Sequence, residues 1–140
     1  MSDERMFLDT LFVIALINRN DQHHRKAKEL WPRVRAAREV WITEAILVEI
    51  GNGLSDINRQ AAFAFIKKCY ATTNTQIVTV NTGLLDRALE LYRSREDKTW
   101  GLTDCISFVV MQDENLVDAL TGDKHFQQAG FRALMRDDVS

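Results

Sequence analysis

The chain has 140 residues, 46% of them hydrophobic, with one proline and six glycines, a composition that suits one compact core without disulfides or a structural metal. Eighteen basic against twenty acidic residues leave a formal charge of −2, which excludes a strongly basic nucleic-acid coat protein but leaves room for a local basic patch. Charged residues at 27% exclude a largely disordered chain, and no apolar run approaches the roughly 20 residues needed to span a bilayer.

No membrane partner is therefore expected. Met1-Ser2-Asp3-Glu4-Arg5 carries mixed charge, unlike a secretory leader. Cys69 and Cys105 sit apart among apolar neighbours, with no CxxC or zinc spacing. Both features point to a reduced, cytoplasmic setting. No linker, repeat or composition break divides the chain, so a single domain over 1–140 is expected.

Short apolar runs alternate with longer helical patterns, which is the signature of an α/β fold around a parallel sheet. Met6-Phe7-Leu8 is the first expected strand, followed by a helix over 11–18. Asp21 can cap a helix reaching Trp31, and Pro32, whose ring clashes with a preceding turn, is expected to start another. Val40-Trp41-Ile42 is the second strand, with Trp41 in the core. Helices are expected over 44–54 and 57–70, the second capped from Ser55-Asp56. Ile77-Val78-Thr79-Val80 makes the third strand, and Asn81 caps a helix over 82–95. The next helix, 102–112, is apolar nearly all round from Cys105 to Met111, which places it centrally. Strands over 116–120 and 131–134 flank a helix over 124–129, which Gly130 ends.

Ligands of open parallel sheets bind beyond the carboxyl ends of the strands, so the residues that follow each strand matter most. Asp9-Thr10 follows the first strand and Thr121-Gly122-Asp123 the fourth. Asp104 lies in the first turn of the central helix, and Glu49 is a lone charge inside Ala45-Ile46-Leu47-Val48-Glu49-Ile50. Three of these acids have a purely structural reading: Asp9 and Asp123 as helix caps, Asp104 as an acid at a helix N-terminus. Glu49 does not. It shares a small-residue face with Ala45 and Gly53, and a buried carboxylate there needs a partner. Four carboxylates at one sheet edge repel one another unless cations neutralise them. Oxygen-only ligands select hard ions, Mg²⁺ or Mn²⁺, which polarise phosphates and activate water in phosphodiester hydrolysis.

Other polar residues are secondary. Thr10, Thr103 and Thr121 flank acids and could orient them, with capping the alternative for Thr103. Lys124 and His125 could touch a phosphate, against solvent exposure for the first and packing for the second. His23-His24 reads as structural. Trp100 could stack a base, although packing over the sheet edge fits it better. Arg19, Arg25, Lys26, Lys28, Arg33, Arg35 and Arg38 form a local basic excess, either a track for an RNA backbone or a solvated helix face.

The segments Phe7-Leu8-Asp9-Thr10, Leu47-Val48-Glu49-Ile50, Leu102-Thr103-Asp104-Cys105-Ile106-Ser107-Phe108 and Ala119-Leu120-Thr121-Gly122-Asp123-Lys124-His125-Phe126, with Gly130-Phe131 behind them, together resemble the PIN domain. The similarity is greatest to the VapC-type toxins of toxin–antitoxin pairs and their stand-alone relatives. It runs over essentially the whole chain, and the stretch from Trp100 to Phe131 is its most specific part. The resemblance implies a three-layer α/β/α fold with a central parallel sheet of about five strands. It also implies a metal-dependent endoribonuclease in which Asp9, Glu49, Asp104 and Asp123 form an acidic quartet. That quartet would bind one or two Mg²⁺ or Mn²⁺ ions, with Asp9 and Asp104 as principal ligands. The implied partners are an RNA substrate, an inhibiting antitoxin and a second copy in a homodimer.

Competing classes fit less well. A phosphatase of the haloacid-dehalogenase type requires an Asp two residues beyond the first, where Leu11 stands. A response-regulator receiver requires an Asp ending the third strand, where Val80-Asn81-Thr82 has none. A stand-alone PIN nuclease in RNA processing and a non-catalytic RNA-binding PIN domain are the remaining alternatives. The latter expects at least one acid to be missing, and none is.

Overall fold

The computed structural model describes residues 2–136. Along the chain run β1 (Arg5–Leu8), α1 (Thr10–Ile17), α2 (His24–Ala36), β2 (Glu39–Thr43), α3 (Glu44–Gly53), α4 (Arg59–Ala71), β3 (Thr75–Val78), α5 (Thr82–Ser94), α6 (Leu102–Asp113), β4 (Asp118–Leu120), α7 (Lys124–Gln128) and β5 (Arg132–Ala133). The strands form one sheet in the order β3-β2-β1-β4-β5, and every pairing is parallel. Parallel neighbours need crossovers, and the helices supply them. The result is the expected three-layer α/β/α arrangement.

The strand order positions the site. From β1 the chain winds outward through β2 to β3, then returns to the other side of β1 as β4. Winding therefore reverses between β1 and β4, and a crevice opens beyond their carboxyl ends. Met6, Phe7 and Leu120 are fully buried in these two strands. Behind them, every residue of α6 from Cys105 to Met111 is buried, as its all-round apolar pattern indicates. Trp100, Phe108 and Phe126 stack edge to face at 5.0 Å between successive ring centroids, which locks the start of α6 against α7.

Several local expectations are corrected. Pro32 starts no new helix: it lies inside a continuous α2. The ring sits on the exposed face, while Ala27 and Val34 are buried on either side of it. Shared packing of the two halves thus outweighs a cost of about 3 kcal/mol for an internal proline. Asp21 organises the turn before this helix, accepting the His23 amide at 2.8 Å. Asn58 rather than Ser55-Asp56 caps α4, accepting from the Ala61 amide at 3.1 Å. β3 begins and ends two residues earlier than expected, because Thr75 and Val78 register with Val40 and Thr43 while the Val80 amide bonds to Glu44. Trp41 is only partly buried, its Nε1–H donating to Glu39 at 2.9 Å. Asn81 caps α5 through the Leu84 amide at 2.8 Å, and Gly130 takes a φ of 97° behind α7, as a helix-ending glycine does.

Candidate active site

β1 and β4 deliver their following residues to the same crevice. Asp9 stands at the N-cap position of α1, yet its side chain accepts no capping hydrogen bond from the helix. Its Oδ2 instead accepts the Thr121 hydroxyl at 2.7 Å, from the residue just beyond β4. The helix-cap reading of this acid therefore fails. The same Thr121 oxygen accepts the Asp123 amide at 3.0 Å, so one hydroxyl ties the two acids' segments together.

Glu49 reaches the crevice from α3. Its Oε1 accepts the Thr10 hydroxyl at 2.6 Å. The small-residue face makes this possible, because α1 packs closely on α3. A Cβ added at Gly53 would stand 2.6 Å from Ile14 Cδ1.

Asp104 lies in the first turn of α6, where its Oδ2 accepts the Gly101 amide at 3.1 Å. The same oxygen meets His125 Nδ1 at 2.9 Å. Asp123 caps α7 by accepting the His125 amide at 2.9 Å. Its Oδ1 also lies 3.4 Å from His125 Nδ1. Here the structural reading of an acid and its place in the cluster are both realised.

Asp9, Glu49, Asp104 and Asp123 line one open cleft together with Thr10, Leu11 and Asn52. Leu11 is half exposed beside them, and the cleft is open to solvent. Among the described residues, no lysine or arginine pairs with any of the four acids. Burial pushes the Asp9 carboxyl up to about 7, against the Thr121 hydroxyl and the Thr10 amide. Repulsion from Asp104 and Asp123 adds to the rise. Burial also raises Asp104, opposed first by its bond to His125.

This donor set fits a cation. The acids are partly or wholly withdrawn from water, have no lysine or arginine partner among the described residues and repel one another, and an ion bound among them offsets all three penalties. Asp104, Asp123 and His125 alone bring three potential ligand atoms within 4.8 Å of one another.

The structure does not bring the basic stretch of α2 to this cleft as a unit. Arg33 binds Glu4, which precedes β1, with Nη2 2.6 Å from its carboxylate, and Arg38 donates its amide to the Glu4 carbonyl. Both therefore lie at the opposite edge of the sheet. His24 is structural, its Nδ1 against the Ala15 carbonyl at 2.7 Å. Trp100 is packed and 6% exposed, with Nε1–H on Gln128. A second hollow, between α2, α4 and the sheet, is lined by Trp31, Val34, Phe65 and Cys69 among others. Burial pushes the Cys69 thiol up to about 11, so that hollow offers no ready nucleophile.

From the sequence alone, His125 reads as a phosphate contact or a packing residue, and its contact with the acids is not foreseen. Its ring faces two of the acids. The available signal was its position two residues beyond the capping Asp123, at the start of a helix that the buried Phe126 pins down.

The fold and site thus define a parallel α/β domain with an acidic cleft at its topological switch point. The PIN domain family model matches residues 6–132, and the chain belongs to that family. Among solved structures, it is similar to VapC20 of Mycobacterium tuberculosis, described as a Sarcin-Ricin loop cleaving toxin. The TM-score is 0.80 at 26% identity, over 90% of this chain and 95% of that one. VapBC2 of Rickettsia felis, solved bound to a DNA fragment from its promoter, matches with TM-score 0.62 at 14% identity over 93% and 96%. FitAcB of Neisseria gonorrhoeae matches with TM-score 0.63 at 12% identity over 91% and 95%. The latter two likenesses speak to the fold alone. No curated protein sequence matches the chain. Among the described residues, no helix is long and apolar enough to cross a membrane.

Proposed function

We propose that this chain is a divalent-metal-dependent endoribonuclease that hydrolyses RNA phosphodiester bonds and acts as the toxin of a toxin–antitoxin pair. The observation that carries the reading is the convergence of Asp9, Glu49, Asp104 and Asp123, from four separate segments, on one open cleft with no lysine or arginine paired to them among the described residues. Membership of the PIN family supports the nuclease class, and the likeness to VapC20 supports RNA as substrate. The likeness to VapC20, described as a toxin, supports the toxin role, and with it an antitoxin as partner.

Asp9 and Asp104 are the principal ligands in this reading, with Glu49 and Asp123 completing the set for Mg²⁺ or Mn²⁺. When bound, such an ion supplies charge to a phosphate oxygen and lowers the pKa of water. The protein's own contribution is to hold the carboxylates in place. Thr121 fixes Asp9 Oδ2, Thr10 fixes Glu49 Oε1, and the Gly101 amide with His125 fixes Asp104 Oδ2. Each hydrogen bond fixes one carboxylate oxygen before substrate arrives, so little reorganisation remains for the reaction. The cleft is open, as a polymeric RNA substrate requires.

End-labelled RNA incubated with the purified chain is expected to stay intact in chelator and to be cut when Mg²⁺ or Mn²⁺ is restored. Products should carry a 5′-phosphate and a 3′-hydroxyl. Cleavage that is indifferent to chelator would refute the metal mechanism.

A further inference from the structure

We propose that His125 is a metal ligand of this centre through Nδ1, making it a mixed nitrogen–oxygen site that favours Mn²⁺ over Mg²⁺. The inference rests on the ion-centre reading above and adds to it a residue outside the acidic quartet.

The geometry comes from the ring itself. Nδ1 lies 2.9 Å from Asp104 Oδ2 and 3.4 Å from Asp123 Oδ1. Ligand atoms about 2.1 Å from one ion and at right angles to each other stand about 3.0 Å apart. The two measured separations straddle that edge length. All three donors also lie within 4.8 Å of one another, compact enough to share a single ion.

The far side of the ring is arranged as a ligand's usually is. Nε2 lies 3.2 Å from the Thr99 hydroxyl oxygen. Ligating histidines commonly donate the other ring N–H to such a neighbour, which fixes the tautomer and aims the bare nitrogen at the ion. Without an ion, Nδ1–H donates to Asp104 Oδ2. Once an ion takes the place of that proton and the remaining proton sits on Nε2, the Nδ1 lone pair and the two carboxylate oxygens face one another as three acceptors. A cation among them satisfies every one. The mounting is stiff too. The His125 amide is bound to Asp123, and the next residue, Phe126, is fully buried against Phe108 of α6.

Ion choice follows from the donor atom. Mg²⁺ holds hard oxygen ligands and gains little from imidazole, whereas transition ions accept nitrogen readily. His125 should therefore strengthen Mn²⁺ binding more than Mg²⁺ binding. His125→Asn separates ligation from simple support of Asp104. The amide can still donate towards Asp104, and its oxygen suits either ion, but the nitrogen ligand is gone.

The test is pulsed electron paramagnetic resonance on the full chain loaded with Mn²⁺ alone, with no RNA present. A hyperfine coupling from ¹⁴N imidazole is expected in the wild type, changing to that of ¹⁵N when histidine is labelled. In His125→Asn it should vanish, and the ratio of Mn²⁺ to Mg²⁺ affinity in calorimetry should fall by about tenfold, the scale on which groups around a metal tune affinity. Thr99→Val should lower Mn²⁺ affinity by a smaller factor. Bound Mn²⁺ without nitrogen coupling in the wild type refutes the His125 ligand and leaves the acidic centre standing. No binding of either ion refutes the centre itself, and the His125 proposal with it.

Discussion

The Thr121 hydroxyl donates to Asp9 Oδ2 at 2.7 Å across 112 positions of sequence, and both residues are buried. This bond joins the carboxyl ends of β1 and β4 at the point where the sheet's winding reverses. The same oxygen accepts the Asp123 amide at 3.0 Å. One small side chain thus holds two acids of the cleft in register.

Thr121→Val keeps the shape and removes the hydroxyl. A buried carboxylate and a backbone amide then lose their partner, at a cost of about 1–3 kcal/mol. A lower melting temperature is expected, together with Mg²⁺ affinity weakened about 10–100-fold, as for other groups that orient a ligand. A variant with wild-type stability and ion binding would show that Thr121 does not organise the cleft.

Asp9→Asn tests the electrostatics of the metal-free cleft. The folded Asp9 carboxyl titrates at about 7, against an ordinary value of 3.8. Between those values the folded state keeps a proton that the unfolded chain has lost. Metal-free stability from this group is therefore full at low pH and is lost as pH rises to about 7. The Asn variant escapes that loss. Without metal it should match or exceed the wild type at about pH 8, by about 1 kcal/mol on the scale of single substitutions, and the advantage should shrink towards about pH 4. Mg²⁺ should raise the wild-type melting temperature by binding only the folded state, and the variant should lose most of that rise. An undiminished Mg²⁺ shift in the variant would contradict the ligand role of Asp9.

Toxicity gives a cellular test. The chain induced alone in a bacterial host is expected to arrest growth, and Asp104→Asn at equal protein level is not. Equal arrest by both would place the harm outside the cleft.

Much of this was legible in the sequence because it is local. The strand runs, the Asn81 cap, the Gly130 stop and the all-round apolar α6 each depend on a few neighbouring residues. The four acids were legible because Asp9 and Asp123 come just after strands, Glu49 interrupts an apolar helix and Asp104 opens the buried one. What was hidden depends on tertiary contact. Pro32 is tolerated because Ala27 and Val34 pack on the same core, which local turn chemistry does not reveal. Asp9 forgoes the capping bond that its position suggests, because Thr121 reaches it from the adjacent strand. His125 meets Asp104 across 21 positions only once Phe126 and Phe108 have packed. The basic stretch on α2 reads as continuous in sequence, yet Arg33 and Arg38 lie at the edge where the strands begin.

A metal titration of cleavage tests most directly whether the four carboxylates in this cleft form the ion centre of an RNA hydrolase. Wild-type chain stripped with chelator would be returned to Mn²⁺ in steps over a labelled structured RNA, beside Asp9→Asn, Glu49→Gln, Asp104→Asn and Asp123→Asn. The wild-type rate should rise with ion concentration and saturate. Each variant should be slower by at least about 100-fold or should need far more ion, as expected when a group acting in the transition state is lost. Wild-type rates in all four variants, or a wild-type rate independent of Mn²⁺, would contradict the account.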